Sequence, residues 1–155
     1  MTEIDEIPLL IEKAVKLHGH LGPFLVIGVR MGDAAKSYVA VNDKNSCRLQ
    51  ASIKTPLSTP FSCVIDGIQA STSCTVGNQR LKIENSAKEI AASFGLKNTN
   101  KTVKILVNPK VVENLINEMS KGADPEQLAL KIANMQVEQL LVLEEQSAHQ
   151  KRSLQ

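Results

Sequence analysis

The 155-residue chain is 43% hydrophobic and 22% charged, ordinary globular proportions that suit one domain with a sizeable core. Its net charge of +2 is scattered, and aromatics make up only 3% with no Trp and one Tyr. Neither a basic stripe nor a base-stacking platform is present, which argues against nucleic-acid binding, and no apolar run approaches the ~18 residues of a membrane span.

In chain order, the first element is an amphipathic helix. Ile4, Ile7, Ile11, Ala14 and His18 recur at helical spacing on one face, Leu10 and Leu17 widen the stripe, and Gly19 supplies a stop. No charged leader with a small-residue cleavage site opens the chain. Three cysteines without such a leader predict reduced thiols and a cytoplasmic location. Pro23 opens a second helix to about Tyr38, in which Gly28 and Gly32 leave room for another backbone.

Cys47, Leu49, Ala51 and Ile53 alternate with Arg48, Gln50, Ser52 and Lys54. That period of two marks a strand with one buried face and gives Cys47 a structural place on it. Pro56 and Pro60 break the chain into a loop, and Ser62 is placed to cap a short helix through about Ser71. Leu81 to Glu84, Glu89 to Phe94 and Thr102 to Val107 read as short strands, although the Ala-rich middle one also suits a helix.

Asn108-Pro109 starts a further helix, with Val112, Leu115, Ile116 and Met119 inward and Gly122 as its stop. Asp124 and Gln127 have capping-box spacing, and Pro125 fits the first turn of a last helix to about Gln146. At ~1.5 Å per residue it would be on the order of 30 Å long. Val137 to Leu143 is apolar on more than one side, which fits either a partner chain or a helix crossing its own core. From His149 onward the chain reads as a frayed tail, leaving one domain over residues 1–148. Helices first, strands in the middle and helices last imply an α+β domain.

Two clusters carry candidate chemistry. The first is His18-Gly19-His20-Leu21-Gly22-Pro23, at a predicted junction between helices. Imidazole is a common metal ligand and proton carrier near neutral pH. His18 also continues the apolar stripe, so a buried structural role competes with ligation; His20 lies past the helix stop and is the better ligand candidate. The second cluster runs from Cys63 through Asp66 and Gln69 to Thr72, Cys74 and Thr75. On a helix, Cys63, Asp66 and Gln69 lie near one another, and Cys63 occupies a first turn whose dipole favours a thiolate. An inert, buried cysteine is the competing reading. Cys74 and Thr75 follow the helix and are candidates to close over the same pocket. The ten residues between Cys63 and Cys74 are not the tight knuckle of a structural zinc ribbon.

Together the clusters resemble the signature of the FmdE family, whose name comes from one component of formylmethanofuran dehydrogenase. Its pattern is H-G-H-x-C-P, followed later by C-x-x-D-x-x-Q-x-x-T-G-C-T-x-G. The resemblance covers residues 10 to 80 and implies an α+β core with a central mixed sheet, a metal held by the motif's His and Cys side chains, and homodimers. Carried over by residue, it gives His20 and Cys63 as first metal or catalytic candidates, then His18 and Cys74. Asp66, Gln69 and Thr72 are implied as supporting groups around the cofactor. Zinc suits mixed imidazole and thiolate ligands, and nickel or iron also fit. The chain departs from the pattern at Gly22, where the family often has cysteine, at Ser73 in place of glycine, and in having no Cys-rich zinc ribbon after the core.

Three functions are therefore expected, in order. The first is a metal-binding protein with an open His/Cys site for a small molecule, acting as an accessory component or enzyme in molybdenum or tungsten one-carbon systems. The second is a metal-free thiol enzyme with Cys63 as nucleophile and His20 or His18 as base, which requires a depressed thiol pKa. The third is a non-catalytic assembly protein dimerising through the apolar last helix.

Overall fold

The computed structural model describes residues 6–146. Helix α1 (Ile7–His18) ends on Gly19, whose φ of 103° is left-handed and therefore suited to glycine. Ile4 lies outside the described residues. Helix α2 (Pro23–Tyr38) starts at Pro23 and is buried along most of its length. Strand β1 (Leu49–Thr55) follows, with Leu49, Ala51, Ile53 and Thr55 inward and the alternate residues exposed. The chain then forms α3 (Cys63–Thr72), β2 (Leu81–Asn85), β3 (Ala91–Leu96), β4 (Thr102–Val107), α4 (Pro109–Ser120), α5 (Pro125–Asn134), α6 (Val137–Leu140) and β5 (Leu141–Glu145).

The five strands form one mixed sheet in the order β2-β1-β3-β4-β5. β1 and β2 are parallel, joined through α3, and the other neighbours are antiparallel. The fold is thus α+β, with a single βαβ unit inside it. Inward residues of β1, β3 and β4 (Ile53, Phe94, Ile105) join Phe24, Ile27 and Met31 of α2, Leu115 of α4 and Ile132 of α5 in one core. Each such apolar side chain contributes ~1.5–3 kcal/mol when fully buried. The opposite face of the sheet has no helix over it among the described residues.

The three-helix layer has an unusual seam. A methyl group at Gly28 would lie 2.2 Å from the Val64 carbonyl oxygen, and one at Gly67 would lie 2.2 Å from that of Leu25. α2 and α3 therefore touch backbone to backbone. The paired positions advance together, from Leu25 with Gly67 to Gly32 with Ser71, so the two helices run parallel. α1 runs the other way along α3: Lys13 is near Ser73, whereas His18 meets Asp66. The end of α1 and the beginnings of α2 and α3 consequently share one corner.

Two expectations are corrected. Cys47 does not lie on a buried strand face; it sits in a short 3₁₀ turn (Ser46–Arg48) and is exposed, because β1 begins only at Leu49. The last helix does not reach Gln146 but stops at Asn134, where Arg30 Nη1 donates to the carbonyls of Ile132, Ala133 and Met135 at 2.9, 3.1 and 2.8 Å. After the short α6 the chain extends as β5 and completes the ladder with β4. That pairing buries Leu141 and uses the apolar run at the sheet edge. The apolar run behind the homodimer expectation is thus an edge strand rather than a helix, and its Val142 and Leu143 remain exposed. The frayed tail from His149 lies outside the described residues. Among the described residues, no helix is long and apolar enough to cross a membrane.

Candidate functional site

The shared corner holds His18, His20, Cys63, Asp66 and Gln69. His18 is the last residue of α1, and its Nδ1–H donates to Asp66 Oδ2 at 2.7 Å. Gln69 Nε2 donates to the other carboxylate oxygen, Oδ1, at 3.1 Å. Asp66 and Gln69 are one turn apart on α3, so the helix itself sets this contact. The result is a three-member chain, Gln69 to Asp66 to His18, that fixes the imidazole's orientation and its Nδ1–H tautomer.

The other ring nitrogen is the informative atom. His18 Nε2 is buried and has no hydrogen-bond partner among the described residues. A buried polar atom left unpaired is costly, ~1–3 kcal/mol, and native structures rarely retain one without a use. In a neutral ring with its proton on Nδ1, Nε2 would present a lone pair. A carboxylate behind a histidine is the usual arrangement where that histidine ligates a metal.

His20 is exposed and stacks obliquely on His18, with ring centroids 4.6 Å apart and planes at 42°. Gly22 borders the same spot, and a methyl group there would be 4.0 Å from His20 Cδ2, an ordinary contact. The Gly22 backbone is extended, with φ −150°, so its conformation does not require glycine. Its substitution for the motif's cysteine therefore opens space beside His20 without a backbone reason.

Cys63 opens α3, one turn before Asp66, and is half-buried. Burial pushes its thiol pKa up, the Asp66 carboxylate adds to this, and the backbone hydrogen bond at Cys63 opposes it. A position at the start of a helix would favour a thiolate, whereas the net shift here is upward, with burial its largest cause. Ser62 does not cap this helix with its side chain. Its first turn instead has 3₁₀-type backbone bonds, including Cys63 N–H to the Pro60 carbonyl.

Cys74 and Thr72 belong elsewhere. They lie at the other end of α3, about 15 Å along the axis from Cys63 at ~1.5 Å per residue. Cys74 is fully buried and its thiol donates to the Leu49 carbonyl at 3.2 Å. Thr72 Oγ1 donates to the Ile68 carbonyl at 2.6 Å and accepts from Cys74 N–H. Cys74 ties the end of α3 to β1, and Thr72 closes the last turn of α3 locally. Thr75 bonds with Asn78 in the following loop. The structure thus brings together His18, His20, Cys63, Asp66 and Gln69, and leaves Cys74 and Thr72 apart from them.

As a metal site the corner fits in part. His18 Nε2 has no partner among the described residues, the His20 ring lies against that of His18, and Cys63 is one turn before Asp66 on α3. No three His, Cys, Asp or Glu side chains converge at ligand spacing among the described residues. Direct pairing of His18 with Asp66 is not readable from spacing along the chain, which places Asp66 only as a neighbour of Cys63. The signal for it is His18 itself, whose place on the stripe of α1 aims it at a neighbouring helix. Gly67, next to Asp66, carries no motif signal of its own, yet it is the residue that lets α3 approach α2.

A family model described as "FmdE, Molybdenum formylmethanofuran dehydrogenase operon" matches residues 17–148. A protein of Archaeoglobus fulgidus, described as a probable S-adenosyl-L-methionine-binding protein, is 31% identical over 114 residues. That match takes in 74% of this chain but 30% of the relative, so the chain spans under a third of that protein's length. A solved structure of a tungsten formylmethanofuran dehydrogenase FmdE-like protein from Syntrophus aciditrophicus superposes with a TM-score of 0.67. It is 22% identical, with 95% of this chain and 77% of the other covered, and supports the fold.

Proposed function

The chain belongs to the FmdE family, and on that basis we propose that it is a metal-binding protein of molybdenum or tungsten formylmethanofuran dehydrogenase systems. Its site is the corner of His18, His20 and Cys63. The observation that carries this reading is the buried, unpartnered Nε2 of His18, oriented from behind by Asp66 and Gln69. Zinc suits imidazole and thiolate donors best, with nickel and iron as alternatives. His20, being exposed, can rotate to supply a second nitrogen, and Cys63 a sulfur once deprotonated. With Gly22 in place of cysteine the donor set is short by one thiolate, so a small molecule or water would complete it. A bound divalent ion would supply Lewis acidity and a more acidic bound water.

Elemental analysis of untagged protein, alongside Cys63→Ser and His20→Ala, tests the site. Near-stoichiometric metal in the parent and its loss from folded variants is the expected result. Retention of full metal by both variants would overturn the assignment. The metal-free thiol reading receives no support, since it needs a lowered Cys63 pKa and the surroundings raise it. Adenosylmethionine, named for the Archaeoglobus relative, belongs to a much longer protein. A homodimer rests on family resemblance alone, and light scattering at micromolar concentration tests it.

A further inference from the structure

The face of the sheet turned away from the helices carries a trough that the histidine corner does not use. Its floor is the outward side of the central strand β3, made of Ala91, Ser93 and Gly95. Longer side chains on β1, β2 and β4 form the walls. One part has a volume of about 590 Å³ and a smaller adjoining part about 190 Å³. The two share Ser52, Lys82, Ser93 and Gln146, so they form one continuous depression.

Strand register explains its chemistry. Lys82 pairs with Ser52, Ser52 with Ser93, and Ser93 with Lys104, so a single row across four strands reads Lys-Ser-Ser-Lys. With strands ~4.8 Å apart, the two lysine Cα atoms are about 14 Å apart with both hydroxyls between them. Flexible lysine stems can lean inward over that gap.

The lining is richer in cations than in carboxylates. The lining holds Lys54, Arg80, Lys82 and Lys104 against a single carboxylate, Glu84, in a chain whose net charge is only +2. Lys54 pairs with Glu84 at 3.7 Å and Lys104 with Glu89 at 3.8 Å. Glu144 stands beside Lys104 on β5. Lys82 has no ion pair among the described residues, whereas Arg80 turns its guanidinium to the carbonyls of Ser46 and Ser73, which lie outside the trough lining. An ammonium without an ion pair, beside two hydroxyls and a second lysine, favours an anion.

We propose that this trough binds a phosphorylated small molecule, with the phosphate centred over Ser52 and Ser93 and gripped by Lys82 and Lys104. Two hydroxyls and two ammonium groups approach from different strands. They match the three-dimensional spread of phosphate oxygens better than the planar pair of a carboxylate. The proposal is independent of the metal site.

The test is an NMR titration of the full chain with pyrophosphate and, separately, with citrate, following backbone amides. Saturable shifts at Ser52, Lys82, Ser93 and Lys104 with pyrophosphate are expected, with citrate at least about tenfold weaker. Lys82→Met and Ser93→Ala should each weaken pyrophosphate about tenfold or more, since each removes a charged or charge-assisted contact. Cys63→Ser should leave binding unchanged. Unliganded spectra of the variants establish that they are folded. Absence of saturable shifts, unaltered affinity in Lys82→Met, or equal response to citrate would each overturn the proposal.

Discussion

Replacing Gly67 with alanine probes the seam on which the site depends. In an ordinary helix the change would stabilise by ~1 kcal/mol, because glycine is the poorer helix former. Here the new methyl group would sit 2.2 Å from the Leu25 carbonyl oxygen, 2.7 Å from Val29 N and 2.8 Å from Gly28 Cα. All three are backbone atoms, so no side chain can rotate away. Restoring a carbon–oxygen separation of ~3.3 Å requires α2 and α3 to part by about 1 Å. A gap of that size forfeits a quarter to a half of each dispersion contact across the seam. Overpacking typically costs ~1–3 kcal/mol and sometimes more, and a backbone clash belongs at the upper end. Net of the propensity gain, Gly67→Ala should destabilise by about 2 kcal/mol or more. Urea unfolding should show a lower midpoint at unchanged slope. A variant as stable as the parent, or more so, would refute the backbone-contact account of this layer.

Other outcomes follow from the same geometry. Asp66→Asn keeps an acceptor for His18 but removes the carboxylate charge, and should lower metal affinity about 10- to 100-fold as read by competition with a chelator. Arg30→Ala removes the donor to three carbonyls at the end of α5 and should cost about 2–3 kcal/mol in urea melts, with faster hydrogen exchange in α5. Stability should also fall in alkali. Burial raises the pKa of both Cys63 and Cys74, so the folded chain keeps protons that the unfolded chain releases. Their contribution is complete below the unfolded thiol pKa of ~8.5 and is lost as pH climbs through the raised folded values. Cys74→Ala, compared with the parent from pH 7 to 10, should show a shallower alkaline decline. An unchanged slope would count against that linkage.

Much of the fold is legible in the sequence because periodicity and punctuation agree. Pro23, Gly19, Asn108 and Asp124 mark helix ends by backbone chemistry that acts locally, and the alternation from Leu49 onward is a strand's own signature. What the sequence hides is non-local. Val137 to Leu143 is apolar enough for either helix or edge strand, and the partners that distinguish the two are distant: Arg30 at the end of α5 and β4 alongside residues 141–145. Cys47 continues an alternation whose strand has not yet begun, since the 3₁₀ turn holds the chain off the sheet until Leu49. At the site, spacing along α3 places Cys63, Asp66 and Gln69 correctly on one side. It cannot reveal that α1 runs antiparallel to α3 and delivers His18 to Asp66. Nor can it show that Cys74, only two residues past Thr72, has turned into the core.

The glycine contact between α2 and α3 also decides which parts of the corner have freedom to move. With backbone against backbone and no side chains to reshuffle, these helices behave as one body. The positions of Cys63, Asp66 and Pro23 are then fixed relative to one another. α1 is different: Ala14 is its one buried residue among those described, and Leu9 and Leu17 face solvent at 59% and 56% exposure. α1 is held instead by side chains, with Ile7, Leu10, Ile11 and Val15 packed around Ala14, Leu25, Val29 and Ala70, and by His18 on Asp66. One wall of the corner is therefore set by backbone contact and the other by side-chain packing, so core substitutions in α1 would shift His18 and His20 without moving Cys63 or Asp66.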